Sequence, residues 1–443
     1  MDLVREYNEL LTIALQQAAD EGRDPERLEA IKDRAAALGP PEDETTRRRV
    51  LAIVDELDAL PVRDSFPYDE PSDLDGIVAA RPAALGKPAA LPAEAALRDK
   101  VLGAWLGRCA GCMLGKPVEG RARAVIEAVA RSAGAWPLDD YFPYVETAPG
   151  GVAFAPAPKS WHKGFMTHAV RDDDTDYPIV GLKVLERKGR AFAPQDVAAE
   201  WLTSFPYLAV FTAERVAYRN FINGIMPPQS ARYRNPFREW IGAQIRADIW
   251  AWVNPGDPAT AAEYAWRDAC ISHTRNGIYG ELFFAAAIAQ AFVTDDLDEI
   301  VATGLRVIPA KCRLAEALQR VVEWCDGAGS EAWERVWQRI MEQCGTMHWI
   351  HTINNAMIAL MAVLLGRHDF TRTIGIAVMA GLDTDCNGAT AGSLLGALLG
   401  ANALPAKWVE PLHDRLESAV EGEHTNAISA LAERTLAVAR TRN

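Results

Sequence analysis

Apolar residues recur at three- and four-residue intervals along most of the chain, the pattern of amphipathic helices that share a core. Near the N-terminus this predicts three helices, over 2–20, 26–38 and 43–59, with breaks near 22–25 and at Gly39-Pro40-Pro41. From Pro61 to Pro92 the pattern lapses, and Pro67, Pro71, Pro82 and Pro88 among repeated alanines predict an extended strap or linker. Helical spacing then dominates, over 98–115, 176–188, 195–211, 258–271, 278–291, 296–304, 312–325, 330–344, 353–365, 370–380 and 387–400. Strand-like alternation is nearly absent. Two stretches stay irregular: 132–168, with Trp136, Tyr141, Phe142, Tyr144, Phe154 and Trp161, and 222–240, with Pro227-Pro228 and several arginines. A loop as long as the first is usually functional. The expectation is an all-α protein, with an N-terminal helical extension at 1–62, a linker or strap at 63–95 and a main domain at 96–443.

Within this pattern two glycine series stand out. Gly103, Gly107, Gly111 and Gly115 recur every fourth residue, as do Gly388, Gly392, Gly396 and Gly400. Glycine inside a helix costs about 1 kcal/mol relative to alanine, so two such series call for a packing reason. Spacing of i, i+4 gathers each set on one face, where two backbones can approach closely. If the ridges meet antiparallel, Lys116-Pro117-Val118-Glu119 at the end of the first lies beside Gly381-Leu382-Asp383-Thr384-Asp385 at the start of the second.

Composition narrows the functional classes. A chain of 443 residues suits one large domain with an appendage, or two domains. The formal net charge of −14 argues against nucleic-acid binding, which needs a basic face. Seven cysteines spread over the chain read as reduced thiols of a cytoplasmic protein, and the N-terminus lacks the apolar core of a signal peptide. Residues 386–406 carry no charge, but their glycines, Asn387, Thr390, Ser393 and Asn402 favour a buried helix over a membrane span.

Charge becomes informative locally. Asp172, Asp173, Asp174 and Asp176 crowd the start of a predicted helix, where free N–H groups and the helix dipole favour anions. Asp383 and Asp385 interrupt a neutral, glycine-rich stretch. Buried carboxylates without partners are costly, and bound cations resolve that cost. Hard oxygen donors without nearby His or Cys spacing point to magnesium, manganese or calcium rather than zinc. A two-metal site can activate water and grip vicinal hydroxyls or phosphate oxygens.

The segments 106–119, 172–176 and 381–400 together resemble three signatures of the ADP-ribosylglycohydrolases. Between them Gly242-Ala243-Gln244-Ile245-Arg246 resembles the family's substrate loop, and Ser272-His273 its ligand-contacting Ser/Thr-His element. Leu404-Pro405 followed by Trp408 is similar to its closing motif. The resemblance spans about 98–410 and leaves the first 95 residues outside. It implies an all-α bundle with two magnesium ions in a cleft, and hydrolysis of a ribosyl N- or O-glycosidic bond in a small ribosylated or ADP-ribosylated substrate. Carried over by position, Asp173, Asp174, Asp383 and Asp385 would be metal ligands, joined by Asp172 and Cys386. Glu119 would act at the scissile bond, and Gly242, Ala243, Gln244, Arg246, His273, Gly277 and Tyr279 would bind substrate.

The chain also departs from the family pattern. Asp172 replaces a threonine of Thr-Asp-Asp-Thr, Cys386 replaces the last threonine of Asp-Thr-Asp-Thr, Cys112 stands where an aspartate is usual, and Ile241 where an asparagine is usual. These departures keep open a catalytically silent, crystallin-like or ligand-sensing relative. Cys109 and Cys112 form a C-x-x-C on the glycine-ridge helix, which reads as structural burial. His348 and His351 have helical spacing without an acidic third ligand and read as core or cleft wall. Arg219, Arg232, Arg234 and Arg238 are candidates to hold a diphosphate.

Overall fold

In the computed structural model, which describes residues 3–38 and 43–441, the two glycine ridges pack face to face and antiparallel. Residue 2 and the expected break at Gly39-Pro40-Pro41 lie outside the described residues. The first ridge helix is Glu94–Gly115 and the second Thr384–Leu399. A Cβ added at Gly103, Gly107 or Gly111 would run into the carbonyl oxygen of Gly396, Gly392 or Gly388 respectively, and the reverse pairs clash in the same way. Gly115 abuts the Thr384–Asp385 peptide instead, and Thr384 Oγ1 donates to the Gly115 carbonyl at 2.8 Å. Gly400 departs from the expected register: with φ of +82° it follows the end of the second helix rather than continuing its ridge.

This contact sets a prediction. Gly111→Ala forces a methyl group against backbone that cannot rotate away, so it is expected to destabilise the protein by about 1–3 kcal/mol or more. Gly86→Ala, where an added Cβ meets nothing within 4 Å, is expected to be near neutral. Thermal or urea unfolding of the two variants checks this, and equal stabilities would contradict the close-contact account.

The helices of the main body wrap this pair in one apolar core. Trp105 of the first ridge meets Trp252 with ring centroids 4.6 Å apart, and the helices Asn276–Ala291 and Thr352–Gly366 are buried almost throughout. The fold is all-α apart from a two-stranded antiparallel hairpin, Arg415–Glu417 with Thr425–Ala427, and short 3-10 turns. Among the described residues no helix is long and apolar enough to cross a membrane. Residues 132–168 carry only 3-10 turns beyond Ser132, as the sequence suggests.

Several elements differ from expectation. The stretch 195–211 is not one helix: Pro194–Ser204 ends before Phe205-Pro206, since proline drives the preceding residue to extended backbone, and Thr212–Ile222 begins anew. The strap is not extended throughout but holds the helix Leu74–Ala80, capped by Asp73. Arg123–Ser132, Ala247–Trp252 and Ile428–Ala439 are further helices.

The N-terminal helices Leu3–Asp20, Pro25–Ala36 and Glu44–Ala59 form a small second core. Leu10, Ile31, Val54 and Leu57 pack there with Ala213, Val216, Phe237 and Trp240 of the main body. Ionic contacts reinforce this seam. Arg238 pairs with Glu21 at 2.7 Å and with Asp58 at 2.9 Å, and Arg234 forms a two-pronged pair with Asp55. Arg234 and Arg238 are thereby committed to the extension, which corrects their reading as diphosphate ligands.

Burial opposes the charge on Glu21, yet Arg238 holds its carboxyl down at about 2, against an ordinary 4.5. A carboxylate with a lowered folded pKa contributes stability that is complete above pH 4.5 and is lost as pH falls toward 2. Glu21→Gln is expected to cost about 1.5–3 kcal/mol at neutral pH and to flatten the acid limb of the stability curve. Urea unfolding at neutral and acid pH measures both effects, and an unchanged acid limb would contradict the assignment.

Candidate active site

The helix Asp173–Lys188 starts with Asp172 as its N-cap, whose Oδ1 accepts the Asp174 N–H at 3.0 Å. Lys116, just beyond the first ridge helix, donates to Asp172 Oδ2 and stacks on Trp161 with its ammonium 4.6 Å from the ring centre. Burial opposes ionisation of Asp172, but Lys116 holds its carboxyl below the usual range. The Asp172 carboxylate is thus matched by an internal cation. Asp176 also faces inward for structural ends: it pairs with Arg171 at 2.8 Å and accepts the Ala419 N–H at 3.0 Å, tying the C-terminal segment to this helix.

Asp174 is held from the other side. Arg108, fully buried on the first ridge helix, donates to Asp174 Oδ1 at 2.9 Å, to Asp248 Oδ2 at 2.6 Å and to the Ile245 carbonyl at 2.6 Å. One guanidinium thus joins the first acid cluster to the loop 242–246. Asp174 Oδ2 has no hydrogen-bond partner among the described residues. Desolvation pushes its carboxyl well above the usual range.

The second cluster sits where the ridges place it. Gly381 and Leu382 have φ of +78° and +65°, turning the chain sharply into the second ridge helix. The Gly120 N–H donates to the Leu382 carbonyl at 3.1 Å, which pins the Glu119 turn beside this bend. Asp383 is the N-cap of the helix but makes no capping bond, so its carboxylate is not spent on the backbone. Its N–H and the Asn387 amide both donate to Asn355 Oδ1, at 3.2 and 2.8 Å. Asp383 Oδ1 and Asp385 Oδ1 are buried and have no partner among the described residues. Burial raises Asp383 well above the usual carboxylate range and Asp385 to about 6, and Asp385 in turn raises the exposed Glu119.

Ligand atoms of Glu119, Asp383 and Asp385 lie within 4.8 Å of one another, as do those of Asp174, Asp385 and Cys386, and those of Cys112, Asp172 and Asp174. Asp385 belongs to two of these groups, Asp174 to two. Asp173, half-buried on the same helix, is in none of them. Orphaned buried carboxylate oxygens in this arrangement fit divalent cations.

The other residues singled out in the sequence divide into two sets. Gly242, Ala243, Gln244 and Arg246 are buried in the loop that Arg108 joins to Asp174. Arg246 does not face open space: it donates to Asp268 at 2.6 Å, Glu214 at 2.8 Å and Ser272 at 3.1 Å. A side chain on Gly242 would collide with the Glu214 carboxylate. Both polar atoms of Gln244 lack partners among the described residues. His273 is buried with Nδ1 2.9 Å from Ser272 Oγ, and Gly277 packs on its ring. Tyr279 is buried, and its hydroxyl donates to the Pro71 carbonyl of the strap. These last three lie on the strap side. A cavity of about 690 Å³ there is lined by His273, Arg275, Trp266 and Glu70 among others, and contains none of the clustered aspartates.

His348 stacks on Trp240, with ring centres 4.1 Å apart, and His351 caps the helix Thr352–Gly366, so neither joins the acids. Cys109 and Cys112 are buried and unpaired. Reasoning from motifs missed Arg108 and Asn355. The signals were present: a lone arginine within the otherwise neutral segment 103–115, and an Asn354-Asn355 pair within an apolar helix.

These features define an all-α protein with a carboxylate-lined centre built on paired helix ends. The sequence profile of the ADP-ribosylglycohydrolases matches residues 93–443. The chain belongs to the ADP-ribosylglycohydrolase family, a membership that points to glycohydrolase chemistry. A solved structure of an ADP-ribosylglycohydrolase-related protein complex is similar in fold, with a TM-score of 0.50 at 21% identity, over 78% of this chain and 98% of that one. A comparison with curated proteins yields no match.

Proposed function

We propose that the protein is a divalent-metal-dependent glycosidase that hydrolyses a ribosyl N- or O-glycosidic bond, acting on a small ribosylated or ADP-ribosyl-bearing metabolite. The observation that carries this reading is that Asp174, Asp383 and Asp385, each with a buried carboxylate oxygen without a partner among the described residues, fall in two ligand groups that share Asp385, one of them with the exposed Glu119. Asp173, Asp174, Asp383 and Asp385 would hold two magnesium ions, or manganese or calcium, with Asp172 already engaged by Lys116. Bound there, the ions would supply Lewis-acid polarisation of substrate oxygens and a more acidic water.

The chain's own residues supply the rest. Glu119 stands at the open side of the cluster, where it can pass a proton to the leaving group or hold it by a hydrogen bond. Trp161 on Lys116 and Phe154 near Arg121 bring the aromatic loop 132–168 onto the same turn, where a flat group can stack. Gly242, Ala243 and Gln244 would line the substrate side, while Arg246 and the strap-side His273, Gly277 and Tyr279 support the loop from behind. Preference for a small substrate rests on the long aromatic loop, which Trp161 and Phe154 bring over the turn that carries Lys116 and Glu119.

Glu119→Gln is expected to lower the catalytic rate by about 10²–10⁴-fold while leaving divalent-ion affinity largely intact. Steady-state kinetics at saturating substrate, with calorimetry of metal binding, checks this, and an unchanged rate removes Glu119 from the mechanism. Substrate size is tested by comparing specificity constants for an ADP-ribosylated protein and for small nucleotide and nucleoside conjugates. A higher value for the protein substrate would overturn the small-metabolite reading.

A further inference from the structure

Cys386 lies in the first turn of the second ridge helix and Cys112 near the end of the first, so the close ridge contact brings both thiols to the level of Asp174. Their surroundings differ. Cys112 shares its group with Asp172 and Asp174, and both oxygens of Asp172 are taken, one by Lys116 and one by the Asp174 N–H. Cys386 shares its group with Asp174 and Asp385, each of which has a buried oxygen without a partner among the described residues. The free donors around this point are two carboxylate oxygens and one sulfur.

We infer that Cys386 ligates the cation held by Asp174 and Asp385, giving this position a mixed sulfur–oxygen donor set that favours a first-row transition ion over magnesium. The inference rests on the metal-dependent reading above and sharpens it at one of its positions. Sulfur is a soft donor that adds little to a hard ion such as magnesium but strengthens binding of zinc, cobalt or iron. Coordination replaces the S–H bond with a sulfur–metal bond, and the proton passes to solvent. The second position, around Glu119, Asp383 and Asp385, keeps oxygen donors alone and stays suited to magnesium or manganese.

The test uses the full chain, stripped with a chelator and titrated separately with magnesium, manganese, zinc and cobalt by calorimetry, with absorption spectra of the cobalt form. The wild type should show a near-ultraviolet sulfur-to-cobalt charge-transfer band. Cys386→Thr, with Cys386→Ser as a second variant, should still bind magnesium, lose that band, and lose about tenfold or more in zinc affinity relative to magnesium. Cys112→Ser should keep the band. Cobalt bound to the wild type without the band, or a band that survives in Cys386→Thr and disappears in Cys112→Ser, would overturn the assignment to Cys386. Binding of none of the four ions by the wild type would overturn the metal-dependent reading itself.

Discussion

Asp385→Asn is expected to reduce turnover to near background and to weaken divalent-ion binding by at least about 100-fold. Asp385 contributes to both the Glu119–Asp383 group and the Asp174–Cys386 group, so a single change of oxygen to amide removes a charge from both. The same change should leave the metal-free protein equally stable or more stable. Burial first, and neighbouring carboxylates after it, raise the pKa values of Asp383, Asp174 and Asp385, so ionising all of them opposes folding. Activity, calorimetry and thermal unfolding in chelator separate the effects. Full metal affinity in the variant would remove Asp385 from the ligand set. A large loss of metal-free stability would mean that the carboxylate has an unrecognised structural partner.

Arg108→Met is expected to show the opposite pattern, with the loss falling on stability. The guanidinium is fully buried and bonded to Asp174, Asp248 and the Ile245 carbonyl. Removing one partner of a buried ion pair leaves uncompensated charge and costs about 3–5 kcal/mol. Metal binding should also suffer, because the Asp174 carboxylate loses the contact that orients it. Chemical denaturation of wild type and variant at neutral pH measures the cost, and a difference near zero would show that Asp174 and Asp248 are neutral or solvated without it.

These two residues also mark what the sequence made legible. Asp385 stands out because two acids interrupt a long neutral, glycine-rich stretch, and the four-residue glycine spacing places it opposite Glu119 before any coordinate is known. Asp172 was legible as an excess acid, but its neutralisation by Lys116 was not, since nothing local pairs residues 56 apart in sequence. Arg108 is similar: its partners come from Asp174, Ile245 and Asp248, which only the tertiary fold gathers. The extension was visible as three helices, but its docking rests on pairs such as Glu21 with Arg238, 217 residues apart. Ala247–Trp252 shows no amphipathic period because it is buried on every side. The paired segments at 415–417 and 425–427 are too short for alternation to register. Ile428–Ala439 does carry helical spacing, in Ile428, Leu431, Thr435 and Leu436, although the pattern predicts no helix beyond residue 400.

The most direct test of the metal-dependent glycosidase reading is incubation of the chelator-stripped protein with ADP-ribosyl conjugates, compounds derived from NAD and simple nucleosides, with and without added magnesium or manganese, and detection of the free leaving group by mass spectrometry. Release is expected to require the divalent ion and to disappear in Asp385→Asn. Release that persists undiminished in chelator, or no release from any of these ribosylated compounds by metal-loaded protein, would contradict that reading, and the second result would favour a silent or ligand-sensing member of the family.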